Sequence, residues 1–161
     1  MTRLLIPLLF VLTSAAAQDI RVFKTIGGTK LTAHIFQPQR SAKQEPRAAI
    51  VIFHGGGWVA GSPEWVYYEA KHYAAQGIVA IAAECRLSDE KEITPLEAME
   101  DARDLIVWVR HSAAHLGVNP KQIAAYGSSA GAHLAAAAAI FHPESGGRPD
   151  ALVLMSPRRL D

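Results

Sequence analysis

The chain has 161 residues, half of them apolar, which is enough for one domain with a buried core and too apolar for a disordered chain. Its formal charge of +1, with neither sign gathered in a long block, excludes the field that a nucleic-acid-binding surface needs. The single cysteine, Cys85, rules out an intrachain disulfide and reads as a small buried apolar residue.

The first residues read as an export leader. Arg3 supplies positive charge, Leu4 to Leu12 form a short apolar run, and Ala15-Ala16-Ala17 offers the small residues that a signal peptidase requires. Cleavage is expected after Ala17, giving a secreted or periplasmic product, and the run is too short for a stable membrane span. Residues 18–161 form the expected domain.

That domain opens on two extended runs, Ile20 to Ile26 and Leu31 to Phe36, around Gly27-Gly28-Thr29, the pattern of an antiparallel hairpin. A polar loop from Gln37 to Arg47 precedes Ala48 to Phe53, whose unbroken apolar run predicts a strand covered on both faces in a parallel sheet. Ser62 as N-cap and Pro63 at the first helical position start a helix whose residues Glu64 to Gln76 end at Gly77. Ile78 to Ala83 repeats the buried-strand pattern. Thr94-Pro95 opens a long helix whose Leu96, Met99, Ala102, Ile106, Val109, Ala113 and Leu116 recur every three or four residues until Gly117 closes it. A strand from Gln122 to Tyr126, an alanine-rich helix from about Ala130 to Phe141 and a strand from Ala151 to Met155 complete the series. Two strands followed by alternating strands and helices predict an α/β domain with helices on both faces of a mostly parallel sheet.

Gly127-Ser128-Ser129-Ala130-Gly131 lies where a strand turns into a helix, the context in which G-x-S-x-G forms a nucleophile elbow with Ser129 at its tip. The flanking glycines relieve crowding at the turn, and the helix that starts there directs its partial positive charge at the reaction centre. His54-Gly55-Gly56-Gly57-Trp58 directly follows the first buried strand, and three successive glycines are costly in entropy unless the backbone itself must approach something. Acyl transfer at an ester places negative charge on the carbonyl oxygen, which fixed backbone N–H donors stabilise. Gly56, Gly57 and Ala130 are the candidate donors, with Gly55 an alternative to Gly57.

From Ala48 to Met155 the chain resembles the hormone-sensitive-lipase-like branch of the α/β-hydrolases, carboxylesterases and acetyl esterases that bear HGGGW and G-x-S-A-G. The resemblance takes in Ala83-Glu84-Cys85-Arg86-Leu87, with Cys85 where tyrosine is usual, and the stretch from Glu97 through Trp108 to Gly117-Val118-Asn119-Pro120. It implies an α/β-hydrolase fold, Ser129 as nucleophile, Gly56, Gly57 and Ala130 as the oxyanion hole, and His54 with Gly55 shaping the loop, with no metal or organic cofactor. It also implies a small-molecule or carbohydrate ester as substrate, with short acyl groups favoured. His133, one turn beyond Ser129 on the buried elbow helix, reads as a satisfied residue of the core or of the layer behind the site, and His111 and His115, spaced i, i+4, as surface histidines without a third metal ligand. Trp58, Trp65, Tyr67 and Tyr68 either line the substrate site or pack the core.

A serine hydroxyl needs a base and an oriented acid, and in this fold both follow the serine, acid first. Past the elbow helix stand only His142 and the acids Glu144, Asp150 and Asp161, in no order that completes the set. The strand at Ala151 to Met155 is the sixth of the family's usual eight, so the resemblance implies a fold truncated there, an N-terminal portion whose apolar edge strand is open to self-association. The alternatives are a serine peptidase of the same fold, which Ala130 and the full glycine loop argue against, and a non-catalytic remnant or binding module.

Overall fold

The computed structural model describes residues 18–39, 45–88, 93–141 and 146–156. The expected leader at 1–17, together with His142, Glu144 and Asp161, lies outside the described residues.

Six strands form one sheet in the order β1-β2-β4-β3-β5-β6. β1 (Gln18–Ile26) and β2 (Thr29–Phe36) make the antiparallel hairpin, turned by Gly27 and Gly28, both at positive φ. β2 also runs antiparallel to β4 (Val79–Ala83), whereas β4, β3 (Arg47–Phe53), β5 (Val118–Ser128) and β6 (Ala151–Met155) run parallel. The continuous apolar runs of β3 and β4 are explained by their position, because helices cover both faces there.

Alternation along β3 sorts the core into two layers. Ala49, Val51 and Phe53 face the larger cluster with α2 (Pro95–His111), α3 (Ala113–Leu116) and α4 (Ala130–Ile140). Ile50 and Ile52 face α1 (Tyr67–Ala75), which buries Ala70 and Ala74. Cys85 is buried in the first layer, and burial pushes its thiol pKa far up, so it packs as an apolar residue.

Four expectations need correction. The helix after Ser62 begins as a 3-10 turn, Pro63–Val66, and the Ser62 hydroxyl makes no cap bond; it bonds instead to the Glu64 carboxylate. The long helix is two: Ser112 breaks it after His111, so His111 and His115 stand on separate helices. Leu96 does not join the inward stripe and is 66% exposed. β5 begins at Val118 rather than Gln122, because Val118 pairs with Arg47 and a bulge then carries the chain to Ile123, opposite Ala49. Within that bulge the Asn119 side chain accepts the Lys121 N–H at 3.0 Å, a local turn that strand periodicity cannot register.

Candidate active site

β3 and β5 are parallel neighbours in a register that sets Phe53 opposite Gly127, so the chain leaving each strand emerges at the same end of the sheet. The glycine loop and the elbow are therefore side by side, although 74 residues separate His54 from Ser128. Ligands of open α/β sheets bind at this carboxyl end of the strands.

Ser129 is exposed and held at φ 53°, ψ −117°, a conformation that L-residues avoid and that marks stored strain. Its N–H donates to the carbonyl oxygen of Met155 at 2.9 Å, which continues the β5–β6 ladder, and its own carbonyl accepts the Ala132 N–H at 3.0 Å. The strained residue is thus tied on one side to β6 and on the other to α4. Close approach of α4 to β3 requires Gly131, since a Cβ there would overlap the Phe53 carbonyl and lie 2.6 Å from that of His54.

In the facing loop Gly56, Gly57 and Trp58 take three successive positive φ values of 112°, 63° and 67°. The Gly56 carbonyl turns inward to accept N–H groups from Val59 and Ala60 at 3.2 and 3.1 Å, and a Cβ on Gly56 would collide with Ala60. Among the described residues the N–H groups of Gly56 and Gly57 meet no acceptor, and Ala130, first residue of α4, carries an amide that a helix start leaves unpaired. A Cβ on Gly55 would stand 3.5 Å from the Ser129 Cβ, which puts the loop in van der Waals reach of the elbow.

Nδ1 of the buried His54 lies 2.6 Å from the Gly55 carbonyl oxygen, and Gly61 leaves room for the ring, so this imidazole is committed to its own loop. His133 Nδ1 is 3.0 Å from the Ser129 carbonyl oxygen, and its ring lies 5.3 Å from that of Trp58. The four aromatics divide. Trp58 packs on the core and Tyr67 is bonded to His34 at 2.5 Å, whereas Trp65 and Tyr68 are 61% and 81% exposed. A cleft between α2 and α4, lined by Leu96, Met99, Arg103, Ala137 and Phe141, does not include Ser129. Among the described residues no group of three His, Cys, Asp or Glu side chains is placed to hold a metal ion.

One cluster near the site escaped the reading of the sequence. Asp101, fully buried on α2, receives Arg86 through Nε and Nη2, both at 2.9 Å, and through the backbone N–H at 3.0 Å, with Lys24 of β1 at 2.7 Å. Its position among Ala98, Ala102 and Leu105 on the inward face of α2 was the available signal.

A mixed sheet with helices on both faces and a strained serine between β5 and α4, beside a glycine loop after β3, is the architecture of an α/β-hydrolase. The chain belongs to the BD-FAE family, which it matches over residues 34–146. It is 32% identical over 126 residues to carboxylesterase NlhH of Mycobacterium tuberculosis, covering 76% of this chain and 38% of that protein. An arylesterase of Saccharolobus solfataricus is 31% identical over 119 residues, covering 70% and 35%. Among solved structures, esterase Est2 of Thermogutta terrifontis superposes with a TM-score of 0.80 at 33% identity, over 89% of this chain and 53% of that one. The same esterase has been solved with propionate and with butyrate bound. The chain therefore spans 38% or less of the length of these two curated relatives and about half of the solved esterase.

Proposed function

We propose that the protein is an exported serine carboxylic-ester hydrolase that forms an acyl-enzyme on Ser129. The observation that carries the proposal is the exposed, left-handed Ser129 within van der Waals reach of a glycine loop whose amides have no acceptor among the described residues.

Ser129 Oγ attacks the ester carbonyl carbon and gives up its proton to a base, while the carbonyl π electrons move onto oxygen. The N–H groups of Gly56, Gly57 and Ala130 receive that oxyanion, with Gly55 the alternative to Gly57. One such donor contributes roughly 3 kcal/mol. Collapse expels the alcohol, which takes up the proton, and water then repeats the sequence to release the acid. His54 shapes the loop, since its Nδ1 is taken by the Gly55 carbonyl.

The base and its acid are assigned to sequence that follows Asp161, in the order serine, acid, histidine. The 53% coverage of the solved esterase supports this, as does β6, whose five residues are all exposed although both neighbours of a central strand would bury them. Sequencing the coding DNA beyond the Asp161 codon tests it, and a reading frame with no acid and no later histidine would end the claim. Propionate and butyrate in the related esterase support short acyl groups; the small-alcohol or carbohydrate half of the ester rests on the family resemblance alone. Arg3, the Leu4 to Leu12 run and Ala15 to Ala17 support export, and N-terminal sequencing of the secreted protein should begin at Gln18.

The direct test of activity is hydrolysis of aryl acetates by the chain together with its natural continuation. Ser129→Ala should lower kcat by at least about three orders of magnitude, by analogy with other serine hydrolases. Cleavage of a proline-containing peptide in preference to the acetate would overturn the esterase reading in favour of a peptidase.

A further inference from the structure

We infer that Arg86 and Asp101 are a positioning pair for the glycine loop, acting through the segment Glu84–Ser88 as an external brace. Three anchors fix that segment. At Glu84 the carboxylate accepts the Thr32 N–H at 2.9 Å and the Thr32 hydroxyl, and the Glu84 N–H donates to the Thr32 carbonyl at 3.1 Å. At Arg86 the guanidinium clasps the buried Asp101 with two parallel bonds and also reaches the Glu97 carbonyl at 3.1 Å. At Ser88 the N–H donates to the carbonyl oxygen of Trp58 at 2.7 Å.

The last contact is the one that reaches the site. Trp58 is a non-glycine residue at φ 67°, directly after Gly56 and Gly57, and a left-handed conformation there costs about 1–2 kcal/mol. Such a residue keeps its conformation only when its surroundings over-determine it. Its side chain is fixed by packing on the core and against the His133 ring, and its carbonyl is fixed by Ser88. Ser88 is held in turn two residues from Arg86, whose fork matches the Asp101 carboxylate in a way a lysine ammonium cannot. The ion cluster at α2 therefore sets the orientation of the Gly56 and Gly57 amides without touching substrate.

The proposal rests on those amides being the oxyanion donors, but bracing can be measured without turnover. In the full chain, hydrogen exchange of the Val59 and Ala60 amides, which the Gly56 carbonyl holds, should accelerate at least tenfold in Arg86→Lys, relative to its own global unfolding measured by urea. Arg110→Lys is the control. Arg110 bonds the Gly146 and Arg148 carbonyls at 2.9 and 2.6 Å at the opposite end of α2, so it should lower global stability and leave loop exchange unmoved once that is accounted for. If Arg86→Lys does not fold, Ser88→Pro removes the N–H donor to Trp58, with a fixed φ at 88 and a restricted Leu87 but the Arg86–Asp101 pair kept, and should give the same loop signature. Equal loop exchange in the Arg86 and Arg110 variants, or an unmoved loop in Ser88→Pro, would overturn the assignment. In the active esterase Arg86→Lys should lower kcat with KM held. A protein that hydrolyses no ester yet shows Arg86-dependent loop exchange would sink the esterase reading and leave the brace standing.

Discussion

At Ser129 the backbone bears a strain that only its neighbours maintain. A non-glycine residue at φ 53°, ψ −117° costs of order 1–3 kcal/mol. Ser129→Gly should therefore stabilise the chain by about 1 kcal/mol, after the greater flexibility of glycine in the unfolded state is subtracted, while removing the proposed nucleophile. Urea denaturation checks this, and destabilisation would mean that the elbow is not strained. The residues of the two motifs were legible because their spacing and the strand before each were in the sequence. What fixes them was not. The Met155 carbonyl that holds the Ser129 N–H belongs to another strand, and a main-chain acceptor has no residue signature.

At the scale of elements, the β1–β2 hairpin is joined to α2 by Lys24, which bonds Asp101 at 2.7 Å and Asp104 at 2.8 Å. Asp101→Ala would leave Lys24 and Arg86 facing each other with their shared buried partner gone, and should cost about 3–5 kcal/mol, read from urea midpoints. Burial alone would raise the Asp104 pKa, but hydrogen bonds from Lys24 and Arg103 outweigh it and hold the carboxyl below its ordinary 3.8. A depressed carboxyl contributes stability above its unfolded pKa and loses it as pH falls through the folded value. Stability should thus drop on acidification below about pH 4, with a shallower slope in Lys24→Met; equal slopes would contradict the pairing. The elements themselves were largely legible. β6 has the expected bounds, and the apolar runs of β3 and β4 mark central strands. The break at Ser112 was not, because Ala113 and Leu116 keep the apolar period across it and are buried as a continuous helix would bury them. Asp101 shares the inward face of α2 with Ala98, Ala102 and Leu105, but that signal competes with the rule that an acid in an amphipathic helix ordinarily faces water.

For the whole molecule the decisive feature is the edge of the sheet. β6 carries Leu152, Val153, Leu154 and Met155 at 36–48% exposure, beside a row of backbone groups with no further strand among the described residues. The 161-residue chain alone should associate at micromolar concentration, with sedimentation shifting to the monomer in Val153→Lys. A chain that is monomeric without that substitution would contradict the exposed edge. The same edge borders the candidate site, because the Ser129 N–H is bonded to the Met155 carbonyl at the end of β6.

The most direct measurement is covalent labelling of the native protein by a fluorophosphonate, followed by mass spectrometry of its peptides. The account predicts one adduct, on the peptide that contains Ser129, lost in Ser129→Ala and slowed in Arg86→Lys. An unlabelled protein, or an adduct on any other residue, would contradict it.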